Sequence, residues 1–304
     1  MQSISVNDGI KLKNTIVTIG KFDGIHKGHE KLFEEIAKQA NGRQKVVLTF
    51  GTSPKAFLYN NANKTIVTEM EKQILCEQQG MDVYMKMPLE KKFLALTPDE
   101  FVKHILKDKI GATTIVCGTD FRFGSEAKGD VNFLKENQKK YGYNVIVVEK
   151  EKYHNKDISS TTIREKISAG DMLEVNVMLD HPYSVIGKVE KGKQLGRTLG
   201  LPTANIIPDN TKLLPPNGVY RSVVVVGGQK FHSISNVGIN PTVESGKQIK
   251  VETHIIDYKE YIYNEIVQVQ FFDYIRPERA FESLEELKRQ IENDIEKCRE
   301  IVGK

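Results

Sequence analysis

The sequence predicts two domains of different class: an α/β domain with a parallel sheet over residues 1–182, then an antiparallel β-barrel with a terminal helix over residues 183–304. Three observations carry this expectation. A chain of 304 residues suits two domains better than one. Its first half alternates short apolar runs with segments of helical periodicity. After about residue 182 the apolar runs follow one another with turns, and almost no helix, between them.

In the first half, residues 15–20 (TIVTIG), 45–50 (KVVLTF), 83–87 (VYMKM), 113–118 (TTIVCG) and 144–150 (NVIVVEK) read as strands. Between them, 28–40, 68–80, 97–110 and 131–142 have helical spacing. The third of these helices opens with Thr97 as N-cap, Pro98 in the first turn and Glu100 at capping-box distance. This strand–helix beat predicts a parallel sheet covered on both faces. Ligands of such sheets bind at the carboxyl ends of strands, near the point where the strand order reverses.

In the second half, 183–190, 219–226, 230–238, 250–257 and 265–275 read as strands, with turns rich in Gly, Pro and Asn such as 215–218 (PPNG) and 226–229 (VGGQ). That is the pattern of an antiparallel barrel or sandwich. Residues 283–302 carry Leu284, Leu287, Ile291 and Ile295 at helical spacing, a stripe suited to packing on the barrel.

Composition narrows the function classes. A net charge of +4 over this length, without clustered basic patches, argues against a nucleic-acid partner and suits small anionic ligands such as nucleotide phosphates. The N-terminal residues lack the apolar core of a signal peptide, and no apolar run approaches the ~20 residues of a membrane span. Cys76, Cys117 and Cys298 are widely spaced and form no CxxC pair. The expectation is a cytoplasmic protein with no membrane partner, no disulfide framework and no cysteine metal site.

Two constellations carry chemistry. In the first, Gly20-Lys21-Phe22-Asp23-Gly24-Ile25-His26-Lys27-Gly28-His29 follows the first of these strands directly. Gly20, Phe22 and Gly24 make a turn whose backbone can approach a phosphate chain, and the next helix presents its positive end there. His26 and His29, three apart, share one face and can donate to a polyphosphate as charge develops on departing pyrophosphate. Standing alone, the pair reads equally as two surface histidines beside a turn. Gly118-Thr119-Asp120-Phe121-Arg122-Phe123-Gly124 ends another strand. Asp120 and Phe123 suit a nucleotide or ring-shaped ligand, or an ordinary loop with an aromatic plug. Ile158-Ser159-Ser160-Thr161-Thr162-Ile163-Arg164 leads into a helix. Ser160, Thr161 and Arg164 can form a phosphate cradle, or a plain cap with a surface Arg.

In the second, Gly187, Gly196 and Gly200 permit close backbone approach to phosphates and run into Pro202-Thr203-Ala204-Asn205. Thr203 and Asn205, two apart in an extended segment, point the same way and can reach one Mg²⁺. The same stretch also reads as a Gly/Pro connector. In 251–257, alternation puts Val251, Thr253 and Ile255 on one face and Glu252 and His254 on the other, where a single Glu ordinarily faces solvent.

The motifs GxFDGxHxGH, GxDFRFG and ISSTxIR, in this order, resemble the adenylyltransferase module of the bacterial bifunctional riboflavin kinase/FAD synthetase family. The PTAN segment and the strand glutamate resemble the riboflavin kinase module of the same family. The resemblance implies a Rossmann-like nucleotidyltransferase domain followed by a kinase barrel. It implies that MgATP phosphorylates riboflavin to FMN, and that a second ATP adenylylates FMN to FAD with release of pyrophosphate. Riboflavin, FMN, FAD and ATP are then the partners, with flavin as substrate and product. His26 and His29 would stabilise the ATP phosphates, and Ser160, Thr161 and Arg164 would hold the triphosphate. Asp120 would lie in the nucleotide or flavin site. Thr203 and Asn205 would coordinate Mg²⁺, Glu252 would take the proton of the ribityl 5′-hydroxyl, and Arg276 would lie near the flavin. One departure stands out. Where the family carries Pro-His-Pro after the second strand, this chain has Gly51-Thr52-Ser53-Pro54-Lys55. That keeps a second reading open, a riboflavin kinase whose first domain only binds nucleotide or flavin as a regulatory module. A third, another H-x-x-H nucleotidyltransferase acting on pantetheine or nicotinate substrates, leaves the second constellation without a role.

Overall fold

A computed structural model describes residues 1–50, 64–192, 196, 200–242 and 246–302. The segment 51–55 and residues 197–199 lie outside the described residues. The chain forms two compact units, Met1–Ser160 and Thr161–Lys304.

The first unit is built on a six-stranded parallel sheet of β1 (Gln2–Ser5), β2 (Thr15–Gly20), β3 (Gln44–Phe50), β4 (Val83–Met87), β5 (Ala112–Gly118) and β6 (Asn144–Val148), in the order β1-β4-β3-β2-β5-β6. Alternate residues of the central strands feed two cores. Ile16, Val47, Tyr84 and Val116 pack with Leu32, Phe33, Ile36 and Cys76 from helices Lys27–Gln39 and Glu69–Gln78. Val17, Leu48, Met85 and Ile115 pack on the opposite face with Phe101, Leu106 and Leu134. Both faces are therefore covered, which is why the strands read as nearly continuous apolar runs. The Thr97–Glu100 capping box is present, with Thr97 N–H donating to Glu100 Oε2 at 2.9 Å and Glu100 N–H to Thr97 Oγ1 at 3.3 Å. From Phe101 to Lys109 the helix widens to i→i+5 bonding. The chain steps β2→β3→β4 in one direction and returns to place β5 on the other side of β2. The strand order therefore reverses between the carboxyl ends of β2 and β5, at Gly20 and Gly118.

The second unit is a closed antiparallel barrel of β7 (Ser184–Glu190), β8 (Ala204–Ile206), β9 (Gly218–Val226), β10 (Gln229–Thr242), β11 (Gly246–Ile255) and β12 (Ile266–Arg276), ordered β7-β8-β11-β10-β9-β12. Apolar side chains such as Val224, Val237, Val251, Val269 and Phe271 fill it. So does a chain of hydroxyls: Ser222 bonds Ser233 at 2.8 Å and Ser235 at 2.7 Å, and Ser235 bonds Thr253 at 2.7 Å. Each of these four buried hydroxyls is satisfied by its neighbours, so none of them is orphaned. Helix Met172–Leu179 packs on β12, with Asn176 Nδ2 donating to the carbonyl of Phe271 at 2.9 Å. The terminal helix Leu284–Val302 lays Ile291, Ile295 and Cys298 against Ile234, Leu201 and Ile275, while Leu284 stays exposed. The stripe expected from the sequence therefore packs from Ile291 onward and not at its first residue.

Candidate active sites

In the first unit, the turn after β2 is tightly wound. Phe22 (φ 49°) and Ile25 (φ 45°) both occupy the left-handed region beside Gly24 (φ 97°), although both side chains are buried. A β-branched residue there is an outlier held by its surroundings. Asp23 helps to hold it. Its buried carboxylate accepts from the backbone N–H of Ile66 at 2.8 Å, and its carbonyl accepts from Ser160 Oγ at 2.8 Å. Ser160 is thereby tied to the turn. Asp23 escaped the sequence reading, although its place inside the motif and its acidic type beside Lys21 (Nζ 3.6 Å away) were visible.

The turn delivers His26 as N-cap of helix Lys27–Gln39, and His29 one turn on. Their rings stack with centroids 3.7 Å apart, and Phe22 meets His29 edge-on at 5.1 Å. Gly28 makes this possible, because a Cβ there would press on the His26 ring at 3.2 Å. Burial first, then the neighbouring His26 and Lys72, hold the His29 imidazole well below the usual histidine range, so it is neutral at pH 7. Its Nδ1 is buried and makes no hydrogen bond within the described residues.

These groups line a cleft of about 830 Å³ at the reversal of strand order. Gly20, Phe22, His26, Gly28, His29 and Ser160 lie on it with Asp120 and Phe123 from the loop after β5. Phe123 is buried and also belongs to the core, packed among Phe101, Phe121 and Phe133. Phe123 therefore plugs the core while also bordering the cleft. Gly24 does not line the cleft. Thr161 and Arg164 follow Ser160 on the helix Ser160–Ala169, in the second unit. The sequence reading missed Lys150, which lines the same cleft and pairs with Asp120 at 2.9 Å, and Phe50 and Phe93, which form an aromatic wall with the motif residue Phe121. None of these three missed residues lies in a recognisable motif.

In the second unit, Glu252 is half-buried on the outer face of β11 and lines a cavity of about 320 Å³ with Gly196, Thr203, His254 and Arg276. Its direct cross-strand neighbours are Asn205 on β8 and Asn236 on β10. Residues opposed in this way share a face of the sheet. Asn205 is buried beside Glu252 but does not line the cavity. Thr203 does. Burial lowers the pKa of His254, whose Nδ1 lies 2.9 Å from the carbonyl of Pro202. Gly187 sits within β7, where a Cβ would collide with Ile206, so its missing side chain serves barrel packing. Gly200 stands apart from the cavity lining.

Arg276 is anchored by the terminal helix. Its Nε donates to Asp294 Oδ2 at 2.8 Å, and Gln290 Nε2 donates to Asp294 Oδ1 at 2.8 Å. Asp294 is fully buried and lines the cavity. It was not legible as a site residue, because nothing in the sequence says where the last helix lies.

The FAD synthetase family matches residues 10–162, and the riboflavin kinase family matches residues 179–302. The bifunctional riboflavin kinase/FMN adenylyltransferase of Buchnera aphidicola subsp. Acyrthosiphon pisum is 36% identical over 287 residues, covering 93% of this chain and 91% of that one. The protein of the same name from Bacillus subtilis is 32% identical over 288 residues, covering 92% and 90%. A crystal structure named macrolide-efflux protein, from Streptococcus pneumoniae, superposes with a TM-score of 0.87 at 32% identity, covering 98% of this chain and 99% of that one. No described helix of the present chain is long and apolar enough to cross a membrane. With both halves matched in order, and relatives aligned over nearly their whole length, the chain belongs to the bifunctional riboflavin kinase/FMN adenylyltransferase family.

Proposed function

We propose that residues 183–304 phosphorylate riboflavin to FMN with MgATP, and that residues 1–182 adenylylate FMN to FAD with release of pyrophosphate. The observation that carries this is the gathering of motif residues into two separate clefts: His26, His29, Asp120 and Ser160 in one, Thr203, Glu252 and Arg276 in the other.

In the kinase site Glu252 accepts the proton of the ribityl 5′-hydroxyl as that oxygen attacks the γ-phosphorus of ATP and ADP leaves, a reaction in which positioning and charge neutralisation supply most of the rate. A hydroxyl at Thr203, which lines the cavity with Glu252, and an amide oxygen at Asn205, which opposes Glu252 across the strand pair, fit the oxygen-donor preference of Mg²⁺. When bound with ATP, the ion would neutralise phosphate charge. Arg276, fixed by Asp294, presents a guanidinium to an anionic group.

In the adenylyltransferase site, neutral His29 and its stacked partner His26 would donate to the phosphates of ATP. The phosphate of FMN attacks the α-phosphorus, and pyrophosphate leaves with its charge met by these donors and by the amino end of helix Lys27–Gln39. Ser160, Thr161 and Arg164 would hold the triphosphate, and the aromatic wall with Phe123 suits a flavin ring. A cytoplasmic setting, where ATP is supplied and the three free cysteines stay reduced, completes this reading.

The test is a product assay on the full chain with riboflavin and MgATP. FMN followed by FAD is the expected outcome. FMN alone would point to a regulatory first domain, the reading kept open by segment 51–55, and neither product would overturn the proposal.

A further inference from the structure

The three opposed residues Asn205, Glu252 and Asn236 form one row across β8, β11 and β10. The kinase reading gives work to the first two. We infer that the third, Asn236, is a specificity-determining residue of the same site, its amide oxygen accepting a hydrogen bond from a secondary hydroxyl of the ribityl chain. The inference rests on the kinase reading of this cavity.

Four observations support it. Asn236 lines the cavity and faces Glu252 across the strand pair, so an acceptor here lies beside the hydroxyl that Glu252 deprotonates. The orientation of its amide is fixed, because Nδ2 donates to Glu278 Oε1 at 2.9 Å and a carboxylate at that place can only accept. Room for this latch comes from Gly238, where a Cβ would run into the same Glu278 oxygen. Oδ1 is then left buried with no hydrogen-bond partner among the described residues, a condition folded proteins rarely tolerate unless a ligand supplies the donor.

The chemistry of the missing donor follows from the cavity. Arg276 gives its Nε to Asp294 and Nη1 to the carbonyl of Pro277, and Arg279 gives Nη2 to Gln290, so none of these bonds from the arginines lining the cavity reaches Asn236. A phosphate oxygen carries no proton to give at neutral pH. A neutral polyol carries several, spaced along a chain that must lie next to Glu252 for its last hydroxyl to react. A site built to bond a hydroxyl rejects the analogue that lacks it, because its own buried acceptor is then left bare.

The experiment measures kcat/KM for riboflavin and for three analogues, each lacking one secondary ribityl hydroxyl, in the full-length wild type and in Asn236→Ala. The wild type is expected to lose about tenfold or more on one analogue. Asn236→Ala is expected to lose about tenfold on riboflavin itself, mostly in KM for the flavin with KM for ATP unchanged, and to treat riboflavin and that analogue alike. General damage to the fold would lower all four substrates together and keep their ratios. Should the alanine chain not fold, Asn236→Ser gives the same comparison with a smaller polar side chain. A variant that preserves the wild-type ratios, or a wild type indifferent to all three hydroxyls, overturns the assignment while leaving the kinase reading in place. A wild type that phosphorylates no riboflavin removes the kinase reading and this inference with it.

Discussion

The two clefts hold their chemical groups by different means. In the first unit the groups hang from turns at the carboxyl ends of parallel strands, and the key turn is wound through two buried non-glycine residues at positive φ. In the second unit the groups stand on the outer face of antiparallel strands, in a row fixed by register, under a helix that contributes Asp294. A turn can place backbone amides and two imidazoles within one short stretch of chain, which suits a polyphosphate. A register can set a carboxylate between two amides with little freedom, which suits one proton transfer at one hydroxyl. The first device depends on local tethers such as Asp23. The second depends on the integrity of the whole barrel.

The largest expected effect sharpens this contrast at the register. Glu252→Gln preserves size and the strand pairing but removes proton acceptance, so kinase turnover should fall about 10²–10⁴-fold, while FAD formation from supplied FMN continues. Near-normal kinase turnover in a folded variant would leave positioning by Thr203 and Asn205 as the account of the transfer. His29→Ala should lower FAD formation about 10²–10³-fold and leave FMN formation intact, the cost of removing one preorganised donor. Equal loss of both steps would contradict the separation of the clefts.

Asp294→Ala strands the half-buried Arg276 guanidinium. Removing one partner of a buried pair costs about 3 kcal/mol, which denaturant unfolding of the second unit should register with the first unit unchanged. An unchanged midpoint would remove the terminal helix from the account of the kinase site. The smallest expected effect concerns pH. His29 is held neutral, so the unfolded chain binds a proton at a higher pH than the folded one. The corresponding stability is fully present above the unfolded value of about 6.5, and is lost as pH falls below that toward the depressed folded value. Thermal melting of the first unit should therefore drop on acidification below about pH 6.5, and less so in His29→Ala. Equal pH dependence in both chains would mean that other groups set the acid limit.

What the sequence disclosed follows the same contrast. The cleft of the first unit was legible because its motif residues 20–29 are contiguous and its strands are long apolar runs. The second unit yielded its strands and Glu252, and the alternation of Val251, Thr253 and Ile255 inward against Glu252 and His254 outward holds in the structure. It did not yield β8, which at three residues is too short to show a period, nor the pairing of Asn205 and Asn236 with Glu252, because register between distant strands leaves no local mark. Strand β1 was equally hidden, as a four-residue edge strand with only Ile4 buried. Asp294 meets Arg276, and Lys150 meets Asp120, across different elements of the fold, and neither pairing belongs to a motif.

The central claim is that the two reactions run in two independent clefts, and mixing the two inactivated chains tests it directly. Glu252→Gln and His29→Ala are each incubated alone with riboflavin and MgATP, and then together, and FAD is followed by chromatography. The account expects no FAD from the first variant, FMN without FAD from the second, and FAD restored in the mixture, since each chain supplies the cleft that the other lacks. A mixture that makes no FAD, from chains that each retain the activity assigned to their intact cleft, would contradict it.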